Sequence, residues 1–321
     1  MLFGKKDRSK QNLDENASKQ DQPSKKDDEG QQVKKYMSQF ETSVRPGGVF
    51  AANLLMKEKC VMPDEETMLS VLSKHLGEVE AFGTREFASS FALKQYMAKF
   101  KDASVPVQIM ISKCDEFAAE KINDVTRSQM WDCINDRDRI LSECRYSVLL
   151  TDMLGGGLPA KVRANVVMDY LEAVLELYPQ CEAVYFMNTG KLILADDIRS
   201  SRVEGMDRFI RFVVNVRFFN IEGTQDHVVD TLGMSLLWME DQQYHFHGMD
   251  PNWVVNHAYN MASYRLGSDR PFKDGETIDG IRDGQIVQDI AWKCQFEDAL
   301  IGPARPVLDV FMNEYASVNR G

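Results

Sequence analysis

Four of the chain's five histidines, His227, His245, His247 and His257, fall within one stretch. His245 and His247 stand two apart in the β-like run QYHFH, and alternate residues of a strand share a face. Two imidazoles so placed, with a carboxylate such as Asp230 or Asp250, would make a zinc or iron site with an open position. A metal there would lower the pKa of a bound water to about 7 and create a hydrolytic nucleophile. Neither HExxH nor a facial-triad spacing accompanies the pair. Hydrogen-bonding histidines are therefore the weightier reading, and a metal-dependent hydrolase using His245, His247 and Asp230 is its rival.

A second candidate is Thr151 to Pro159 (TDMLGGGLP), which joins an expected strand to an expected helix. Gly155, Gly156 and Gly157 before a helix start, with Lys161 and Arg163 close by, would cradle an anion. The GK[ST] element of a P-loop is missing, and a plain flexible loop is the simpler reading. Trp292, Glu297, Asp298 and Arg305 form a polar-aromatic group near the C-terminus. Its two adjacent acids would suit acid–base work, although an Arg–carboxylate contact explains them as well. Cys60, Cys114, Cys133, Cys144, Cys181 and Cys294 form no CxxC pair and mostly have apolar neighbours, so they read as reduced core thiols. No nucleophile elbow, dinucleotide fingerprint, kinase set or Cys–His signature is present.

The elements that must position these residues alternate irregularly. Val49 to Met56 reads as a strand. Pro63-Asp64-Glu65-Glu66 open a helix that Gly77 stops. Glu86 to Tyr96 and Val107 to Ile111 read as strands, the latter with Pro106 at its start. Thr126 to Cys144 looks helical in two pieces, and Tyr146 to Thr151 is a short buried strand. Leu158 to Tyr178 is the clearest helix, with an apolar stripe running from Val162 to Tyr178. Cys181 to Phe186 and Lys191 to Leu194 flank a turn. Ala195 to Gly205 reads as a link, and Arg208 to Ile221 as one long β segment. An apolar stretch follows from Val228 to Trp238, then a turn at Glu240-Asp241 and a strand from Gln243 to His247. Pro251 to Leu266 is a helix capped by Asp250. Asp-Gly turns then lead to β-like segments at Trp292 to Phe296 and Val307 to Phe311.

This pattern predicts an α+β fold of mostly antiparallel sheets covered by a few helices. YSVLLT…LPAKV and YHFHGMDPNWV share a rhythm that suggests two similar units packed together. The expected organisation is a disordered polar tail at 1–35, an N-terminal unit at 36–200 and a C-terminal unit at 206–321. The tail lacks the apolar surface needed to offset about 1–2 kcal/mol of backbone ordering per residue. A formal net charge of -11 opposes nucleic acid and anionic membranes as partners. No signal peptide or apolar span is evident, so the expected location is the cytoplasm.

Residues 226 to 311 resemble a bacterial family catalogued as domain of unknown function 4261. The resemblance is carried by Asp230-Thr231-Leu232-Gly233-Met234, Tyr244 to Pro251, Tyr259-Asn260 and Asp274 to Ile278. Trp292 to Ile301, Pro303, Arg305 and Val307-Leu308-Asp309 complete it. It implies a bacterial origin and brings no activity, cofactor or catalytic residue. The leading expectation is a non-catalytic cytoplasmic binding or scaffold protein whose partner is another protein. The alternatives are the hydrolase, which alone would need zinc or iron, and a small-ligand or anion sensor at Gly155 to Gly157.

Overall fold

The structure is a computed structural model that describes residues 48–99, 103–268 and 271–317. The expected tail at 1–35 lies outside the described residues. Among those described, helices and strands are mixed in two mostly antiparallel sheets with seven helices, the α+β architecture that the pattern predicts.

The first sheet is built from β1 (Ala51–Met56), β2 (Val79–Arg85), β3 (Ala88–Lys99), β4 (Ser104–Ser112), β5 (Asp115–Glu116), β6 (Tyr146–Met153), β7 (Ala183–Phe186) and β8 (Lys191–Leu194). Its order is β2-β3-β4-β6-β1-β7-β8, with β5 pairing β6. Helix α1 (Glu65–Leu76) starts where Asp64 accepts the Thr67 N–H at 2.7 Å, and it buries Met68, Leu72 and Leu76 on one side. Gly77, at φ +78°, ends it: a Cβ there would also lie 2.5 Å from Gln95 Oε1. The long helix, here α4 (Ala160–Leu177), covers the same face of the sheet as α1. The opposite face, at Leu55, Ala183 and Leu192, is covered by the 117–144 segment through Ile122, Met130, Ile140 and Leu141. That segment holds 3-10 turns at Ala119–Lys121 and Trp131–Cys133, α2 (Asp124–Ser128) and α3 (Arg137–Glu143), so that the stretch from Thr126 to Cys144 is in three pieces where two were expected.

Two expectations fail between the sheets. The 195–205 link begins with α5 (Ala195–Arg199), and the long β segment at 208–221 is split. Its first part is α6 (Asp207–Phe212), and only β9 (Asn215–Asn220) is strand. An unbroken apolar run suits a buried helix as well as a strand. Here Arg208 decides the matter by donating to Asp169 and Glu172 of α4, both at 2.8 Å. On α4 itself the expected stripe is shifted, because Val162 is exposed and Arg163 is buried.

The second sheet contains β9, β10 (His227–Leu232), β11 (Asp241–Phe246), β12 (Thr277–Arg282), β13 (Gln285–Asp298) and β14 (Pro306–Phe311). Its order is β12-β13-β14-β11-β10-β9, and β14 returns parallel to β11. Helix α7 (Pro251–Gly267), capped by Asp250 at 2.9 Å, packs on one face over Val229, Tyr244, Phe246, Trp292 and Leu308. Asp241, expected in a turn, is the buried first residue of β11.

The rhythm shared by the halves is not the one expected. After α4 the chain enters the β7–β8 hairpin on the far side of β1. The order strand, helix, three-stranded meander instead relates β1–α1–β2–β3–β4 to β11–α7–β12–β13–β14. In the second sheet the meander closes directly beside its first strand. In the first, β6 is inserted between β4 and β1.

Candidate functional site

Two of the three expected metal ligands, Asp230 and His245, share one face of β10 and β11, since Val228 lies opposite His245 and Asp230 opposite Gln243, and His247 lies just past the end of β11. The two imidazoles nevertheless face Asp226, while Asp230 has other partners. His245 Nε2 is 3.6 Å from Asp226 Oδ2, and His247 Nδ1 is 3.9 Å from Asp226 Oδ1. Asp226, which sequence reasoning missed, is thus the carboxylate nearest both rings. Asp230 is fully buried and committed to two guanidinium groups. Among the described residues no group of three His, Cys, Asp or Glu side chains is placed to hold a metal ion. His227 bonds Asn220 at 2.9 Å. His257 lies on the buried face of α7, with one ring nitrogen 2.8 Å from the Asp279 carbonyl, which can only accept; its Nδ1 therefore accepts from the Tyr244 hydroxyl at 2.9 Å. Burial holds the pKa of His257 below its ordinary value.

Asp230 is the centre of a charge network that fastens the 299–305 loop to the polar face of the second sheet. Arg217 Nε and Arg305 Nη2 donate to its two oxygens at 2.8 and 2.7 Å. Arg305 also reaches Asp241 at 3.2 Å and the Ile301 and Pro303 carbonyls at 3.0 and 2.9 Å. Arg217 donates to the Gly302 carbonyl at 3.0 Å, and the Leu300 N–H donates to Gln243 Oε1 at 2.7 Å. Two arginines balance two aspartates, so the network is neutral and each buried carboxylate is paired. Burial pushes the Asp241 carboxyl up, with the Arg305 charge opposing. Trp292 points to the other face, under α7, away from Arg305. The polar-aromatic group of the sequence is therefore dispersed.

The Gly155 to Gly157 loop is a 3-10 turn that closes on its own carboxylate. A Cβ on Gly155 would stand 1.9 Å from Asp152 Oδ2. Asp152 is buried, accepts the Phe50 N–H at 2.6 Å and pairs with Arg163 at 2.9 Å. Gly156 offers its carbonyl to the Trp238 indole N–H. Gly157 is packed against Ala98. Lys161, beside this turn, is half-buried. Gly155 makes room for the buried Asp152 carboxylate, which Arg163 pairs.

A cleft of about 470 Å³ lies at the β9 edge of the second sheet. Its walls are Trp131, Val216, Phe218, Val255 and Tyr259, with Asp132 as the acidic member. Trp131 is 47% exposed despite its size, so a large aromatic face is open to an occupant. Gln129 holds the arrangement: its Oε1 accepts the Trp131 indole N–H at 3.0 Å and the outward Phe218 N–H at 2.9 Å. Asp132 accepts from Lys191 at 3.2 Å and Arg211 at 2.8 Å, which leaves one positive charge in excess. Lys191 is buried, and also donates to the Arg211 and Val214 carbonyls and reaches the Tyr259 hydroxyl at 3.1 Å. Sequence reasoning missed this cleft. Its faint signals were single cations inside apolar runs, Lys191 in KLIL and Arg211 in FIRFVV.

The thiols give no ready nucleophile here. Burial pushes Cys133 and Cys144 up to about 11, and Cys181 and Cys294 up to about 12, so all four stay protonated at neutral pH. What fold and site define together is an α+β chain whose buried charges are paired internally and whose open feature is an aromatic cleft. Residues 230–311 match the family model described as Domain of unknown function (DUF4261), which contains Asp230, Asp241 and Arg305 but not Arg217. The resemblance read over 226–311 is found in that span. No curated protein and no solved structure matches the chain.

Proposed function

We propose that the protein is a non-catalytic binding protein of the bacterial cytosol, and that its partner is another protein. The partner inserts an apolar side chain, flanked by an acidic one, into the Trp131 cleft. The observation that carries this reading is the exposed indole among the cleft's apolar walls, beside the Asp132–Lys191–Arg211 cluster with one positive charge in excess. Its volume suits one anchoring side chain. Strand addition at β9 is opposed, because Gln129 already occupies the Phe218 N–H. The six free cysteines suit a reducing compartment, and no helix among the described residues is long and apolar enough to cross a membrane.

A random-heptapeptide display selection against the full chain tests the proposal, with Trp131→Ala as the counter-target. Enrichment of peptides pairing an apolar or aromatic residue with Asp or Glu, lost on the variant, supports it. No enrichment, or equal capture by Trp131→Ala, sinks it.

A further inference from the structure

At the end of β1 the chain turns through the exposed Lys57, Glu58 and Lys59 and folds the half-buried Cys60 inward before Val61 returns to solvent. Cys60 Sγ–H donates to the buried Met56 Sδ at 3.1 Å. The Cys60 N–H donates to Cys114 Sγ at 3.4 Å. Cys114 arrives from the end of β4 and is buried in the first core. Two chain segments far apart in sequence therefore bring a thioether and two thiols together. A second observation lies beside them. Tyr178 is buried next to the same two thiols, and its hydroxyl has no hydrogen-bond partner among the described residues. A buried hydroxyl without a partner is destabilising unless something present in the working protein accepts from it.

We propose that Met56, Cys60 and Cys114 form a binding site for a soft monovalent d10 metal ion, copper(I), with Tyr178 as its hydrogen-bonding neighbour. Thiolate and thioether donors select copper(I) over magnesium, calcium or manganese, which need oxygen ligands. The step balances without electron transfer. One copper(I) displaces the protons of the Cys60 and Cys114 thiols, forms two copper–thiolate bonds and accepts the Met56 thioether as third donor. Two protons go to solvent and the site carries one negative charge. The Tyr178 O–H then has an acceptor in a thiolate sulfur. The half-buried Cys60, on a turn between exposed residues, supplies the entry path.

The test is an anaerobic titration of the reduced full chain with copper(I) against a chromophoric copper(I) chelator, followed by X-ray absorption of the loaded protein. One equivalent in a sulfur-only shell is expected. Cys60→Ser and Cys114→Ser should each weaken binding at least about 100-fold. Met56→Leu and Tyr178→Phe, which keep the core filled, should weaken it about tenfold. A Cys133→Ser variant should bind like the wild type. The assignment is overturned if the wild type retains no copper, if the first shell contains nitrogen or oxygen, or if a folded Cys60→Ser/Cys114→Ser variant keeps full affinity. Should that double variant fail to fold, unchanged affinity in both Met56→Leu and Tyr178→Phe overturns it equally.

Discussion

The two sheets cover their second faces by different chemistry. Both use helices on one side, α1 and α4 in the first sheet and α7 in the second. On its other side the first sheet is sealed by apolar contacts, with Ile122, Met130, Ile140 and Leu141 laid over Leu55, Ala183 and Leu192. The second sheet is sealed by charge, with Arg217 and Arg305 tying the 299–305 loop to Asp230 and Asp241. Apolar sealing is non-directional and tolerates sliding. A paired buried charge demands one geometry and penalises every other, so the second face is held in register by the cost of breaking it.

Arg305→Met should have the largest effect, because it strands the buried Asp241 and removes one of Asp230's two guanidinium partners. A loss of about 3–5 kcal/mol in urea unfolding is expected. A loss below about 1 kcal/mol would show that the network is not what seals this face. The deficit should also depend on pH. The Asp241 carboxyl is already raised by burial, and its folded pKa rises further once the opposing Arg305 charge is gone. A raised carboxyl contributes stability that is full below its unfolded value and lost as pH rises through its folded value. The variant's deficit should therefore shrink on acidification from pH 7 toward about 4.

Ile140→Ala sharpens the contrast from the other side. Removing this fully buried side chain should cost about 3 kcal/mol through a cavity, with the same deficit at pH 5 and pH 7. Equal pH slopes in the two variants would erase the distinction between the faces. Gly155→Ala probes the buried Asp152–Arg163 pair of the first region. The added methyl must displace the Asp152 carboxylate from Arg163, and a loss of about 1–3 kcal/mol is expected in thermal or urea melts.

His257 gives a smaller, purely acid effect. Its folded pKa lies below the ordinary histidine value, so its contribution is present above about pH 6.5 and lost as pH falls through the folded value. His257→Asn should flatten the stability profile on the acid side of neutrality; an unchanged profile would remove His257 from the account. Trp131→Ala should matter least for stability, within about 0.5 kcal/mol, because its face is open rather than packed. A large loss would mark Trp131 as core and count against the cleft as a binding surface.

Much of the fold was legible because local physics was strong. Asp64 and Asp250 capped the helices they preceded, and Gly77 ended α1. Asp283-Gly284, both at positive φ, turned β12 into β13. The 208–221 run was misread because Phe209 to Val213 satisfies helix and strand equally in sequence, and only Arg208's partners on α4 choose. The candidate site was scarcely legible. His245 stands on β11 and His247 just past its end, and their common carboxylate, Asp226, lies in a loop with no pattern to mark it.

Composition, periodicity and capping residues determined the α+β class, most element boundaries and the resemblance over 230–311, because each rests on neighbours within a few residues. Tertiary structure alone decided which charges meet. Arg305 finds Asp230 across 75 positions, and Arg217 joins them from β9. Gln129 reaches Phe218 across 89 positions, and Cys60 reaches Cys114 across 54. Those pairings follow from strand order and loop closure, which no local spacing encodes.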